Sequence, residues 1–273
     1  MAQINIGILS GGGKLPLAIG KNLSSKKYNV IFFCIENFCD KKLYKKEKHD
    51  IISINSLGRI IQKLKNYNIN KIVMAGHVKR PSIKEIKFDL NALQLIKDFS
   101  LSSKGDDKLL STISIFFQKK GFETLNWKRE CKDLFITEDN LTEHKPSTYA
   151  FKNKIKGLDF FKNIGKSDVA QSLIIQNNII LGIEAAEGTD ELIKRCYKYK
   201  KKGDQGILLK LSKYKQNSNI DLPVIGLTTV KKIKKYQYEG LFLEKNKCII
   251  IDKKEVINFC NQNNIFIVGI SKN

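Results

Sequence analysis

Up to Gly76 the chain alternates short, unbroken apolar runs with stretches of helical spacing, and few folds accommodate that pattern. "INIGIL", "YNVIFFCI" and "INKIVMAG" read as strands, and "LPLAIGKNLSS" and "LGRIIQKLKNY" between them read as helices. Strands that are apolar along their whole length are buried on both faces, so the β-α-β-α-β succession predicts a parallel sheet covered by helices. "DLNALQLIKDFS" and "DDKLLSTISIFFQKKG" continue with helical spacing, and "GFETLN" reads as a short last strand. Between about 131 and 150 the periodicity fades and polar residues gather around Pro146, which predicts a linker. The remainder differs in kind. A helix ending in "DFFKNIG" precedes a hairpin turned by Asn177-Asn178, a helix to about Lys200 and the strand "GILLKL". "PVIGLTTVKKIKKYQ" reads as a helix, "GLFLEKNKCIIID" as a second hairpin, and a helix and the strand "NIFIVGI" close the chain. The expected organisation is a parallel-sheet domain over 1–130, a linker over 131–150 and a mixed α/β domain over 151–273. Such a pair suits a ligand held between two domains.

A hydrophobic share of 42% supports a sizeable core. The 49 Lys+Arg against 27 Asp+Glu give a net charge of +22, which at face value points to nucleic acid or an anionic membrane. Only Arg59, Arg80, Arg129 and Arg195 are arginines, however, and no stripe interleaves basic with aromatic residues. Lysines spread over solvated faces explain the charge, and no nucleic-acid partner is expected. Cys34, Cys39, Cys131, Cys196, Cys248 and Cys260 form no CxxC pair and sit largely in apolar runs, as buried thiols of a reducing compartment do. His49, His77 and His144 make no metal-binding motif. No signal-peptide pattern opens the chain, and no apolar run reaches the roughly 20 residues of a membrane span. A soluble cytoplasmic protein able to touch a membrane is expected.

Four segments carry candidate chemistry. "ILSGGGKLP" turns from strand to helix through Gly11, Gly12 and Gly13, with Pro16 at the first helical position. Its amides suit a phosphate, and a tight turn alone would equally require the glycines. "MAGHVKRPS" sets Gly76, His77, Lys79 and Arg80 at the carboxyl end of a strand, where open α/β sheets bind ligands. Asp106 and Asp107 of "SKGDDKLL" either cap a helix or face a polar ligand. "IEAAEGTDELIKR" gathers Glu184, Glu187 and Asp190 where a strand gives way to a helix. Capping by Thr189 or Asp190 accounts for one end of that motif. With Asp168 and Asp221, the two glutamates also make an oxygen-donor set of the kind that holds Mg²⁺ or Mn²⁺ beside a phosphate.

Taken together, "SGGGKLP", "AGHVKRPS", "GDDKLL", "SDVAQSLIIQNNIILGIEAAEGTDELIKR", "GILLKLSK" and "DLPVIGLTTV" resemble, in order and spacing, a known family. It is the two-domain UDP-2,3-diacylglucosamine pyrophosphatases of Gram-negative lipid A biosynthesis, unrelated to the calcineurin-like metallophosphoesterases. The resemblance runs nearly end to end and implies a Rossmann-like N-terminal domain, a C-terminal domain of unusual topology and lipid held between them. It implies hydrolysis to UMP and 2,3-diacylglucosamine 1-phosphate (lipid X), water attacking the α-phosphorus with a divalent cation, Mg²⁺ or alternatively Mn²⁺. On that basis Asp221, Glu187 and Lys210 are the expected catalytic residues, and Asp221, Glu184 and Asp190 the expected metal ligands. Gly11, Gly12, Gly13, Leu15, Gly76, Lys79, Arg80, Asp106, Asp107, Glu184, Gly188, Thr189 and Thr228 are expected to face the substrate. Peripheral association with the inner membrane and a homodimer are compatible with this picture. The sequence departs from the family at Asn217 and Asn219, where relatives carry an acid and an arginine, and at Ala170, usually glycine. The alternative is a non-catalytic nucleotide-sugar or dinucleotide binding protein, against which the absence of GxGxxG counts.

Overall fold

The computed structural model describes residues 4–78, 106–164, 170–212 and 222–272. Its contacts divide the chain into two compact units, Met1–Cys131 and Lys132–Asn273.

In the first unit, β1 (Asn5–Ser10), β2 (Asn29–Ile35), β3 (His49–Ile52), β4 (Lys71–Ala75) and β5 (Glu123–Thr124) form one sheet in the order β3-β2-β1-β4-β5. Every pairing in it is parallel. This is the strand order of a Rossmann-like sheet, with the switch of winding direction at β1. Side chains alternate between two layers. Leu9, Ile31, Phe33 and Ile72 pack with Ile60 and Leu64 of α2 (Leu57–Asn66) and with Phe116 and Phe117 of α3 (Asp106–Lys119). On β1 and β2, Ile6, Ile8 and Phe32 alternate with that set and are buried, as are Ile19 and Leu23 of α1 (Leu15–Ser25). Pro16 sits in the first turn of α1. A short helix, α4 (Trp127–Glu130), ends the unit. Strand β3 has no clear apolar run, because its "HDII" lies at the sheet edge and is only partly buried. The helix expected over 89–100 lies outside the described residues.

The second unit holds β6 (Ser172–Gln176), β7 (Ile179–Ile183), β8 (Ile207–Lys210), β10 (Gly240–Glu244) and β12 (Phe266–Ile270), ordered β12-β10-β8-β6-β7. β8, β10 and β12 run parallel, while β6 is antiparallel to both β7 and β8. The hairpin turns at Asn177 and Asn178, both with positive φ (50° and 60°), as a two-residue turn between twisted strands requires. One face of this sheet, with Ile174, Leu208, Leu241, Leu243 and Ile267, packs on α6 (Thr189–Cys196), α7 (Leu227–Lys235) and α8 (Lys253–Gln262). The opposite face, with Leu173, Ile175, Leu209, Phe242 and Phe266, packs on α5 (Thr148–Ile164).

Two expectations need correction. "GLFLEKNKCIIID" is not a hairpin: β10 is already paired on both edges, so β11 (Ile249–Ile250) leaves the sheet and pairs with β9 (Val224–Ile225). The stretch expected as a linker belongs to the second unit. Phe135 bridges Ile249, and Asn140 bridges Val268 along the outer edge of β12. Ile136 and Leu141 enter the core, and the Ser147 amide and hydroxyl both donate to Glu239 (2.6 and 2.9 Å). Its backbone and the Thr142 hydroxyl satisfy the edge of β12: the Leu141 amide donates to the Ile267 carbonyl (2.9 Å), the Ile267 amide to Thr142 Oγ1 (2.8 Å) and the Gly269 amide to the Asp139 carbonyl (2.9 Å).

Candidate active site

Because β6 runs against its neighbours, the carboxyl ends of β7 and β8 flank the amino end of β6, and Ser172, Lys210 and Glu184 meet there, joined by Thr189. Ser172 lies opposite Lys210 in the β6–β8 register. The Glu184 amide donates to the Ser172 carbonyl (2.9 Å), carrying the β6–β7 ladder one residue past β7. Lys210, only 2% exposed, directs its ammonium to Ser172 Oγ (3.0 Å), Thr189 Oγ1 (2.7 Å) and Glu184 Oε2 (3.3 Å). Thr189 in turn donates to Glu184 Oε1 (2.9 Å). An ammonium has three N–H groups, and here all three find acceptors. Burying such a charge is tolerable only with this kind of pairing.

Glu187 faces elsewhere. Its Oε1 accepts from Arg195 Nε (2.9 Å) and its Oε2 from the Ala185 amide (3.1 Å), while Arg195 Nη2 also reaches the Ile183 carbonyl (2.7 Å). Hydrogen bonding to its own amide, then Arg195 and the Ala185 amide, hold the Glu187 carboxyl below its ordinary 4.5. Glu187 thus braces the loop between β7 and α6. Gly188, with φ +80°, precedes the first helical residue, Thr189. Asp190 Oδ1 accepts from Thr229 Oγ1 (3.0 Å), and Lys232 Nζ donates to the Asp190 carbonyl (3.1 Å), so the first turns of α6 and α7 lie side by side. Thr228, exposed, sits in that first turn of α7.

At the carboxyl edge of the first sheet, the two segments singled out by sequence meet. Gly11 and Gly12 donate to the carbonyls of Ala75 and His77 (both 2.8 Å), and His77 donates back to Gly12 (3.2 Å). Those two glycine amides are therefore committed to the backbone and are not free for a phosphate. The close approach also explains the residue type, since a Cβ on Gly76 (φ +87°) would stand 2.6 Å from the Gly12 carbonyl oxygen. Leu15 opens α1 and Gly13 has φ +85°. Lys79, Arg80, Asp168, Asn217, Asn219 and Asp221 lie outside the described residues, as do the side chains of Asp106 and Asp107.

The expected metal set is not assembled by what is described. No group of three His, Cys, Asp or Glu side chains able to hold a cation occurs among the described residues. Glu184 and Asp190 offer hard oxygen atoms, yet each lies near an ammonium, Lys210 at 3.3 Å and Lys232 at 4.0 Å respectively. These two carboxylates alone do not fit a divalent cation. Ser172, Arg195, Thr229 and Lys232 were not among the expected site residues. Ser172 is recognisable only once the register sets it opposite Lys210, whereas the i, i+8 spacing of Glu187 and Arg195 could have drawn notice.

The family model described as the LpxI N-terminal domain matches residues 5–134, and that of the LpxI C-terminal domain matches residues 137–268. The chain belongs to the LpxI family. Within it, the chain is similar to the UDP-2,3-diacylglucosamine pyrophosphatase LpxI of Caulobacter vibrioides, 25% identical over 272 residues that span 97% of each chain. The seam between the two LpxI domains falls at 135–136, close to the division of the structure after Cys131.

Proposed function

We propose that this LpxI-family chain hydrolyses the pyrophosphate of UDP-2,3-diacylglucosamine to UMP and 2,3-diacylglucosamine 1-phosphate. The observation that carries the reading is the match of both LpxI domains, in order, over nearly the whole chain. The Caulobacter relative, named for this activity, is covered over 97% of its length. In this reading water attacks the α-phosphorus. The Lys210 ammonium and the Thr189 hydroxyl stand where strand and helix ends converge, and in this reading they orient the diphosphate by exchanging acceptors now supplied by Ser172 and Glu184 for its oxygens. Glu184 holds both donors in place, and Glu187 with Arg195 keeps the loop in register. Asp221 positions the water or a divalent cation. A Mg²⁺ or Mn²⁺ requirement is part of the proposal and rests on Asp221, because Glu184 and Asp190 are already charge-matched. The enzyme acts at the cytoplasmic face of the inner membrane, where such a lipid-linked substrate resides; no helix among the described residues is long and apolar enough to cross it.

Incubation of the purified chain with this substrate and Mg²⁺ in ¹⁸O-water should place the label in UMP. Label in the lipid phosphate would overturn attack on the α-phosphorus. Asp221→Ala should lower the rate on the order of 10³-fold or more, and EDTA should abolish turnover. If the wild-type chain turns nothing over, yet UDP raises its melting temperature, the nucleotide-sugar binding reading takes its place.

A further inference from the structure

Helix α5 covers one face of the second sheet with Ala150, Asn153, Gly157 and Phe161 turned inward and buried. Gly157 sets the closeness of that packing, since a Cβ there would come within 2.5 Å of Leu209. Its other side departs from what a surface helix normally presents, a polar face. Tyr149 is 59% exposed, Phe151 42% and Ile155 63%. At 3.6 residues per turn, Ile155 lies near the middle of the outward side, with Lys152 and Lys156 on the turns around it. Three of the ten large apolar side chains exposed among the described residues therefore belong to this one helix.

The charge around them has one dominant sign. Lys152 and Lys154 lie over the rings of Tyr149 and Phe151 (5.8 and 5.1 Å), and Lys156 follows on the same helix. The loop carrying exposed Lys201 and Lys202 is tied to the hairpin turn, Asn177 Nδ2 donating to the Lys202 carbonyl (3.0 Å). Asp204 on that loop is spent inward, accepting from Asn153 Nδ2, the Asn177 amide and the Gly206 amide. Asp159 is the one acid of α5.

We propose that the outward side of α5 docks the chain onto an anionic phospholipid bilayer. Aromatic and aliphatic side chains ringed by lysines on a helix that does not span are what an interfacial helix uses. Apolar groups enter the headgroup boundary, and lysine stems lie along them with their ammonium groups at the phosphates. A protein partner fits the composition less well, because the cores of protein interfaces are depleted in lysine. The surface deepens the reading of a lipid-linked substrate and rests on it for the purpose of docking.

The full-length chain should co-sediment with vesicles containing phosphatidylglycerol at least ten-fold better than with pure phosphatidylcholine vesicles, and less at high salt. Lys152→Glu with Lys156→Glu should cut that binding by about ten-fold or more, each basic residue near the surface being worth roughly five-fold. A double change, Tyr149→Ser with Ile155→Ser, should do the same at unchanged salt dependence. Both variants should hydrolyse detergent-dispersed substrate as the wild type does. Variants that bind vesicles like the wild type would overturn the proposal, as would a wild-type dimer that the Tyr149→Ser, Ile155→Ser change dissociates, or preference for single-stranded nucleic acid over vesicles. A wild-type chain that binds vesicles but hydrolyses nothing would sink the proposed reaction and leave the docking surface standing.

Discussion

Lys210 shows how one buried charge organises its neighbours, and what its removal would do. Lys210→Met strands Glu184, whose side chain is only 13% exposed, without a counter-charge. Breaking a pair of this kind should cost about 3 kcal/mol, read as a lower denaturant midpoint at unchanged slope. Adding Glu184→Gln should restore most of that stability, because a neutral amide no longer needs the ammonium. Hydrolysis should stay low in the double variant, which separates the structural from the chemical contribution. Glu187 makes a different prediction. Its carboxyl lies below 4.5 when folded, so its pairing stabilises the fold above the unfolded value and is lost as pH falls through the lowered folded one. The stability gap between wild type and Glu187→Gln should therefore be constant through neutral pH and close in acid, below the usual carboxylate range. Urea unfolding at stepped pH would show it, and a gap persisting in acid would refute the ion-pair account.

At the level of elements, the strands with unbroken apolar runs were legible, and so were the hairpin turn at Asn177-Asn178 and the glycine turn after β1. Each has a local physical cause: two-faced burial, positive φ, close backbone approach. What was not legible depends on pairing between distant segments. The edge strand "HDII" looks polar, and "KCIIID" looks like the return of a hairpin until β10 is seen to have partners on both sides. Ser172 meets Lys210 for the same reason, across a ladder that sequence spacing does not reveal. By sequence the glycine turn suits an amide cradle or a tight turn equally; in the fold the amides of Gly11 and Gly12 go to Ala75 and His77. Gly76→Ala tests that junction. A left-handed alanine whose Cβ meets the Gly12 carbonyl should lose about 2 kcal/mol or more in thermal or chemical unfolding. A substitution tolerated within about 0.5 kcal/mol, the ordinary surface range, would show that the two segments can part.

For the whole molecule, the division after Cys131 gives each unit its own core. A fragment of residues 132–273 should fold cooperatively alone, whereas 151–273 should not. The shorter piece lacks Ile136 and Leu141 from the core and the backbone partners of Ile267 and Gly269. Far-ultraviolet circular dichroism during heating distinguishes them, and equal transitions would restore the linker reading. The second sheet has one more consequence, for the history of each molecule. Its only pair joined by a two-residue turn is β6–β7; β8 then adds beside β6, β10 beside β8 and β12 beside β10. The sheet extends from a local hairpin in one direction, in the same order in which a ribosome delivers its strands. Each later strand closes a longer loop than the hairpin but finds a finished edge waiting, so the unit can be assembled while it is being synthesised, with β12 as the last piece.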